Sequence, residues 1–188
     1  MKIAVLALQG AFLEHEDILH KLGADCIELR KKADLKEPFD GLILPGGEST
    51  AQGKLLRELD MFRPLQEKIR DGLPVLATCA GLILLAEKSS NDERVYFQTL
   101  PVTVRRNAYG RQLGSFHTVQ DFGGMKHIPM TFIRAPYIES AREDVEISAK
   151  VDGNIVGVRY RNQLAISFHP ELDTDRRIHQ YFLSFCKA

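Results

Sequence analysis

Two kinds of apolar spacing alternate through the first third of the chain. Ile3 to Leu8 is an unbroken apolar run of strand length, the pattern of a strand covered on both faces. Phe12, Ile18, Leu19 and Leu22 then recur at helical spacing, and Gly23 supplies a stop. Cys26 to Leu29 and Gly41 to Leu44 predict two further strands, the second ending at Pro45-Gly46-Gly47. Between Ser49 and Arg70, Leu55, Leu56, Leu59, Phe62, Leu65 and Ile69 fit two helical segments, with Pro64 tolerated near the start of the second. Leu73 to Thr78 predicts another strand, followed at once by Cys79 and a helix over Ala80 to Glu87. Strands that alternate with helices in this way predict a parallel sheet built from crossover units.

The middle changes character. Val102 to Arg105, Ser115 to Val119, Thr131 to Arg134, Val145 to Ala149, Ile155 to Tyr160 and Leu164 to Phe168 are short β-like runs separated by turns, which predicts an antiparallel portion. Asp175 to Cys186 closes the pattern as a helix with Ile178, Tyr181, Phe182 and Phe185 on one face. The expected fold is therefore α/β: a three-layer, open, mostly parallel sheet with helices on both faces and an added antiparallel portion. With no repeat and no linker-like tract, residues 1–188 are expected to form one domain.

Composition narrows the function classes. Twenty-five basic and 25 acidic side chains give zero formal charge, so no broad field for nucleic acid is expected. No apolar run reaches the roughly 18 residues of a membrane span, and the apolar start from Met1 to Leu8 is too short for a signal peptide. Cys26, Cys79 and Cys186 are odd in number and widely spaced, which points to a reducing compartment, here the cytoplasm, rather than to disulfides or zinc. His15, His20, His117, His127 and His179 lack neighbours at metal-ligand spacing and receive no role; neither a metal nor a cofactor is expected.

Three segments carry candidate chemistry. Ala77-Thr78-Cys79-Ala80-Gly81 sits between a strand and a helix, where a sharp turn pushes the middle side chain out of the sheet and the helix N-terminus favours negative charge. It is close to a G-x-C-x-G elbow, with Ala77 in place of the first glycine. The bland reading of a lone cysteine is a buried packing residue. Phe168-His169-Pro170-Glu171 ends another apolar run and offers an imidazole with a carboxylate two residues on, the pair that a thiol nucleophile needs as base and orienter. Taken alone, H-P-E is better read as a surface histidine beside a solvated glutamate. Pro45-Gly46-Gly47-Glu48-Ser49-Thr50 supplies glycines able to aim backbone N–H groups into a cleft, as an oxyanion site requires; a phosphate cradle is the competing view, but the P-loop spacing is missing.

In this order the three segments resemble the class I glutamine amidotransferases. Further blocks resemble, more narrowly, the glutaminase subunits of pyridoxal 5′-phosphate synthases: Gln9-Gly10, Arg105-Arg106-Asn107-Ala108-Tyr109-Gly110-Arg111-Gln112, Phe132-Ile133-Arg134-Ala135-Pro136 and Ser167 to Leu172. The resemblance runs from the first strand to the last helix. It implies hydrolysis of L-glutamine to glutamate and ammonia by Cys79, His169 and Glu171, with Gly47 and Ala80 as oxyanion donors. It also implies substrate contacts from Gly46, Gly47, Glu48, Ser49, Arg106, Arg134 and Ala135. Which arginine meets the glutamine α-carboxylate stays open. The implied partner is a separate (β/α)₈-barrel synthase subunit that uses the ammonia, with Gln9 and the first helix near the contact and an oxyanion loop arranged only on docking. Without the resemblance, Arg105, Arg106 and Arg111 read equally well as a solvated cationic face. The competing functions are an amidotransferase serving another acceptor, a γ-glutamyl hydrolase, and a non-catalytic scaffold of the same fold with a buried Cys79.

Overall fold

The computed structural model describes residues 1–107 and 114–186. Ala108 to Gln112 of the arginine-rich block, Arg111 included, therefore lie outside the described residues. The elements, in chain order, are β1 (Lys2–Leu6), α1 (Phe12–Lys21), β2 (Asp25–Leu29), β3 (Gly41–Leu44), α2 (Ser49–Glu58), α3 (Phe62–Arg70), β4 (Val75–Thr78) and α4 (Ala80–Leu85). They continue as β5 (Ala86–Ser89), β6 (Leu100–Arg105), β7 (Ser115–Phe122), β8 (Met125–Ile133), β9 (Tyr137–Ala141), β10 (Glu146–Val151), β11 (Asn154–Tyr160), β12 (Gln163–Ile166) and α5 (Arg177–Phe185). Two 3₁₀ segments, Lys32–Lys36 and Pro170–Leu172, complete the described structure.

The first half of the sheet runs β2-β1-β3-β4-β12, all parallel. Beyond β12 the order continues β11-β9-β6 through antiparallel pairs, β5 joins β6 in parallel, and β10 pairs with β11. β7 and β8 form a separate antiparallel hairpin. The mostly parallel α/β sheet with an antiparallel portion is thus as expected from the pattern.

Apolar residues alternate between the two faces along each central strand. Ala4, Leu6, Leu42, Leu44, Val75, Ala77 and Ala165 join Leu56, Leu65, Ile69 and Leu82 from α2, α3 and α4 in one core. Ile3, Val5, Ile43, Leu76, Leu164 and Ile166 join Leu19 of α1 and Ile178, Phe182 and Leu183 of α5 in the other. Burial on both faces explains why these strands read as continuous apolar runs. The hairpin adds Phe122, Ile128, Met130 and Phe132 to the second core.

Two expectations are corrected. The helix expected over Ala80 to Glu87 ends at Leu85, because Ala86 turns to extended backbone and pairs with Leu100 of β6, a tertiary constraint that the Leu-rich run does not encode. β9 has no counterpart among the expected strands: its residues are mixed in exposure, without clean alternation, and it gains its place by pairing with β6.

Candidate active site

β1, β3, β4 and β12 are neighbours in the sheet, and the segments following their carboxyl ends carry Gln9, Pro45 to Ser49, Cys79 and His169. In an open α/β sheet this rim is where ligands bind. A cleft of about 330 Å³ opens there, lined by Gln9, Gly47, Glu48, Ser49, Cys79 and Ala80, and by Arg106, Arg134 and His169. That volume suits a small molecule.

Cys79 caps α4 with φ 48° and ψ −99°, a left-handed conformation that a non-glycine residue holds only where its surroundings impose it. Its N–H donates to the Ile166 carbonyl at 2.8 Å, which ties the turn to β12. Gly81 makes the turn possible: a methyl there would lie 2.9 Å from the carbonyl carbon and from Cβ of Leu44, and closer still to its carbonyl oxygen. Ala77, the departure from the elbow pattern, is accommodated because its methyl packs in the core beneath the sheet.

His169 arrives by a different route. Phe168 is buried against Phe122 and Phe132, with ring centroids 6.0 and 5.8 Å away, while the His169 N–H donates to the Thr131 carbonyl of β8 at 2.8 Å. The core aromatic and the hairpin together aim the next side chain at the cleft. The 3₁₀ turn begins with Pro170, is closed by the Leu172 N–H on the His169 carbonyl at 3.2 Å, and swings Glu171 back under the ring. His169 Nδ1 and Glu171 Oε1 are then 2.7 Å apart. Gly46 touches this ring: a methyl there would lie 2.9 Å from His169 Nδ1 and 3.5 Å from Cys79 Cβ.

Burial opposes charge on His169, but its hydrogen bonds to Cys79 and Glu171 and their negative charge outweigh that and hold its pKa up, to about 10. Glu171 is pulled the other way: burial favours the neutral acid, yet His15 and the hydrogen bond and charge of His169 keep its carboxyl below the ordinary range. Thiol, imidazole and carboxylate therefore form one electrostatically coupled row. By contrast, burial pushes the Cys26 and Cys186 thiols up to about 12, away from any nucleophilic role.

Loop contacts shape the other wall. Gln9 Oε1 accepts from the Glu48 N–H at 2.7 Å, and Gln52, fully buried, donates to the carbonyls of Gln9 at 2.9 Å and Pro45 at 3.2 Å. Glu48 caps α2 by accepting from the Ala51 N–H at 2.8 Å. Partial burial works against its charge, but that bond, a bond from Thr50 and nearby Arg106 hold the carboxyl below its usual range. The two candidate arginines differ. Arg106 is bonded to Asp92, to Glu48 at 3.2 Å and to Thr50 at 3.3 Å. Arg134 is exposed at the cleft with φ 43°, and among the described residues no carboxylate pairs with it. Ala135 is buried beside the lining residues Arg134 and Pro136.

Sequence reasoning missed Asp92, whose carboxylate, bonded by Arg94 and Arg106, sits well below its usual range and anchors Arg106. It also missed Ile83 in the lining, and it gave no site role to Ile133 and Pro136, which line the cleft from the Phe132 to Pro136 block. Nothing local marks Asp92 or Ile83. Among the described residues, no cluster of side chains suited to a metal ion is present.

The family model for the SNO glutamine amidotransferases matches residues 5–188. The chain belongs to that family. One relative of this amidotransferase, the pyridoxal 5′-phosphate synthase subunit PdxT of Desulfitobacterium hafniense (strain DSM 10664 / DCB-2), is 70% identical over 97% of this chain and 92% of its own length. The protein of the same name from Streptococcus pneumoniae (strain CGSP14) is 53% identical over 100% of this chain and 98% of its own. A crystal structure of a glutamine amidotransferase superposes with a TM-score of 0.93 at 41% identity, covering 99% of both chains. A glutamine amidotransferase from Thermotoga maritima shares the fold alone, with a TM-score of 0.65 at 17% identity over 100% of this chain and 84% of its own. The family and fold expected from the sequence are borne out.

Proposed function

We propose that this chain is the glutaminase subunit of a pyridoxal 5′-phosphate synthase, hydrolysing L-glutamine at the cleft and passing ammonia to a partner synthase subunit. The observation that carries the reading is the meeting of Cys79, on its strained elbow, with the His169–Glu171 pair in a cleft of small-ligand size. The names of the highly identical relatives support the same assignment.

In this reading the Cys79 sulfur attacks the side-chain carboxamide carbon of glutamine. The oxyanion that forms is received by the backbone N–H groups of Gly47 and Ala80, both in the cleft lining. His169 gives a proton to the departing ammonia as the carbon–nitrogen bond breaks, leaving a γ-glutamyl thioester. The ring, now neutral and held by Glu171, takes a proton from water, whose oxygen displaces the thiolate and releases glutamate. Gly46, Gly47, Glu48, Ser49 and Ala135 frame the substrate. Arg134 takes the α-carboxylate, because it is the candidate whose guanidinium has no carboxylate partner among the described residues, whereas Arg106 is bonded to Asp92 and Glu48 and shapes the wall.

Ammonia released to water is protonated and loses its nucleophilicity, so the reaction gains from release within an assembly. The partner in this reading is the (β/α)₈-barrel synthase subunit, docking over Gln9 and α1. Gln9 bonds Glu48 next to the Gly46-Gly47 pair, so movement at the contact reaches the oxyanion loop directly. Glutamine turnover measured with and without the synthase tests both parts. Turnover that requires Cys79 and rises on adding the synthase is expected. A chain with no turnover in the complex, and no labelling of Cys79 by diazo-oxo-norleucine, would refute the reading.

A further inference from the structure

Behind Glu171, on the side away from His169, lie two buried imidazoles that the hydrolysis does not use. His15 projects from α1 and His179 from α5, and neither is exposed to solvent. Their rings face each other at 5.1 Å, with His15 Nδ1 2.9 Å from His179 Nε2. The other nitrogen of His15, Nε2, lies 3.5 Å from Glu171 Oε2 and 3.4 Å from Thr78 Oγ1. Glu171 Oε2 and His179 Nδ1 are buried and have no hydrogen-bond partner of their own.

The protons on this row are set by elementary electrostatics. A bare ring nitrogen 3.5 Å from an ionised carboxylate oxygen would set a lone pair against a negative charge, whereas an N–H there is attracted to it. The proton is therefore assigned to His15 Nε2, and the Thr78 hydroxyl, which accepts as readily as it donates, fits that assignment. A neutral imidazole has one N–H, so His15 Nδ1 is bare and must accept from His179 Nε2–H, which leaves His179 Nδ1 bare. That last nitrogen is the partnerless atom at the end of the row. Burial, the largest influence on both rings, disfavours their charged forms, in keeping with two neutral imidazoles.

We propose that His15, fixed in turn by His179, is a positioning residue that holds Glu171 with Oε1 directed at His169. The inference rests on the catalytic reading of Cys79, His169 and Glu171 given above. The 3.5 Å separation is longer than a good hydrogen bond, so His15 acts by orienting the carboxylate electrostatically rather than by a tight bond. Oε2 has no hydrogen-bond partner among the described residues, so without that N–H the carboxylate is held only through its bond to His169 and its own backbone N–H, and it loses the attraction that fixes its second oxygen. α1, the 3₁₀ turn and α5 meet at these side chains, so two helices set the geometry of a carboxylate that lies outside the cleft lining.

The test compares His15→Phe, which keeps a ring without an N–H, with His15→Gln, whose amide places a donor near Nε2, both assayed in complex with the synthase. Loss of a comparable supporting partner costs on the order of 10–100-fold. The expected result is a fall of that size in kcat for His15→Phe, an unchanged KM for glutamine, and recovery in His15→Gln to within about threefold of the unmutated chain. Full kcat in His15→Phe, or equal losses in both variants, would overturn the proposal. Ring nitrogen–proton NMR correlations of the unmutated chain at pH 7.5 add a test that does not depend on a variant folding: His15 protonated on Nε2 is expected, and protonation on Nδ1 overturns it. Absence of turnover in the unmutated complex would instead remove the catalytic reading, and this inference with it.

Discussion

Replacing Gly81 by alanine isolates the link between backbone packing and chemistry. Gly81 is the second residue of the helix that follows Cys79, and its α-carbon faces the end of β3 just before Pro45-Gly46-Gly47. An added methyl would sit 2.9 Å from two carbons of Leu44, and closer to its carbonyl oxygen. Carbon atoms settle at about 3.5–4.0 Å, so by the carbon contacts alone the elbow and β3 must part by roughly 0.6–1.1 Å. Leu44 is backbone-paired to β4 and cannot turn aside like the tip of a side chain. Overpacking of this kind costs about 1–3 kcal/mol, and about 2–4 °C of Tm per kcal/mol for a chain of this size. The same displacement moves Cys79 and the Ala80 N–H relative to Gly47, and a misplacement near 1 Å costs on the order of 100-fold in rate. Gly81→Ala should therefore lower Tm by several degrees and kcat about 100-fold when glutamate release is followed in the presence of the synthase. Wild-type kcat, whether or not Tm falls, would refute the claim that this contact sets the nucleophile's position.

Further outcomes follow from the electrostatics and the core. His169 is held protonated to about pH 10 against an ordinary 6.5, so its contribution to stability is complete below 6.5 and is lost as pH rises toward 10. The Tm advantage of the unmutated chain over His169→Gln should shrink across that window, and a constant difference would contradict the coupling. Glu171, held below its ordinary 4.5, contributes above that value and less as pH falls beneath it, so Glu171→Gln should flatten the acid side of the Tm profile. A glutamine-like electrophile at pH 8 should label one cysteine per chain, and Cys79→Ser should abolish labelling although Cys26 and Cys186 remain, since burial pushes both to about 12; peptide mapping decides it. Phe182→Ala removes a fully buried ring and should cost about 3–5 kcal/mol in denaturant unfolding while leaving KM for glutamine unchanged.

Much of the architecture was legible because strands covered on both faces are apolar over most of their length. β1, β3, β4 and β12 all announce themselves as such runs, and Cys79 and His169 follow the last two closely. The cysteine elbow and the His-Pro-Glu turn are local devices, decided by a few adjacent residues and hence visible in one dimension. His15 and His179 left a fainter trace. His15 sits three residues from Phe12 and from Ile18, and His179 three before Phe182, so each falls on the apolar face of its helix, and both are buried.

The chain's own order of residues thus determined most of the elements, the fold class and the three chemical segments, because each depends on spacing within a single strand, turn or helix, whereas β5 and β9 exist through pairing with β6. Only the folded structure decided that β4 lies between β3 and β12, which brings those segments to one rim, and that Asp92 anchors Arg106 while Arg134 faces the cleft. It alone set two helices, 164 residues apart at their contact, behind one carboxylate. The physical reason is that periodicity records which face of an element is buried, whereas which side chains meet across that burial depends on sheet order and helix placement.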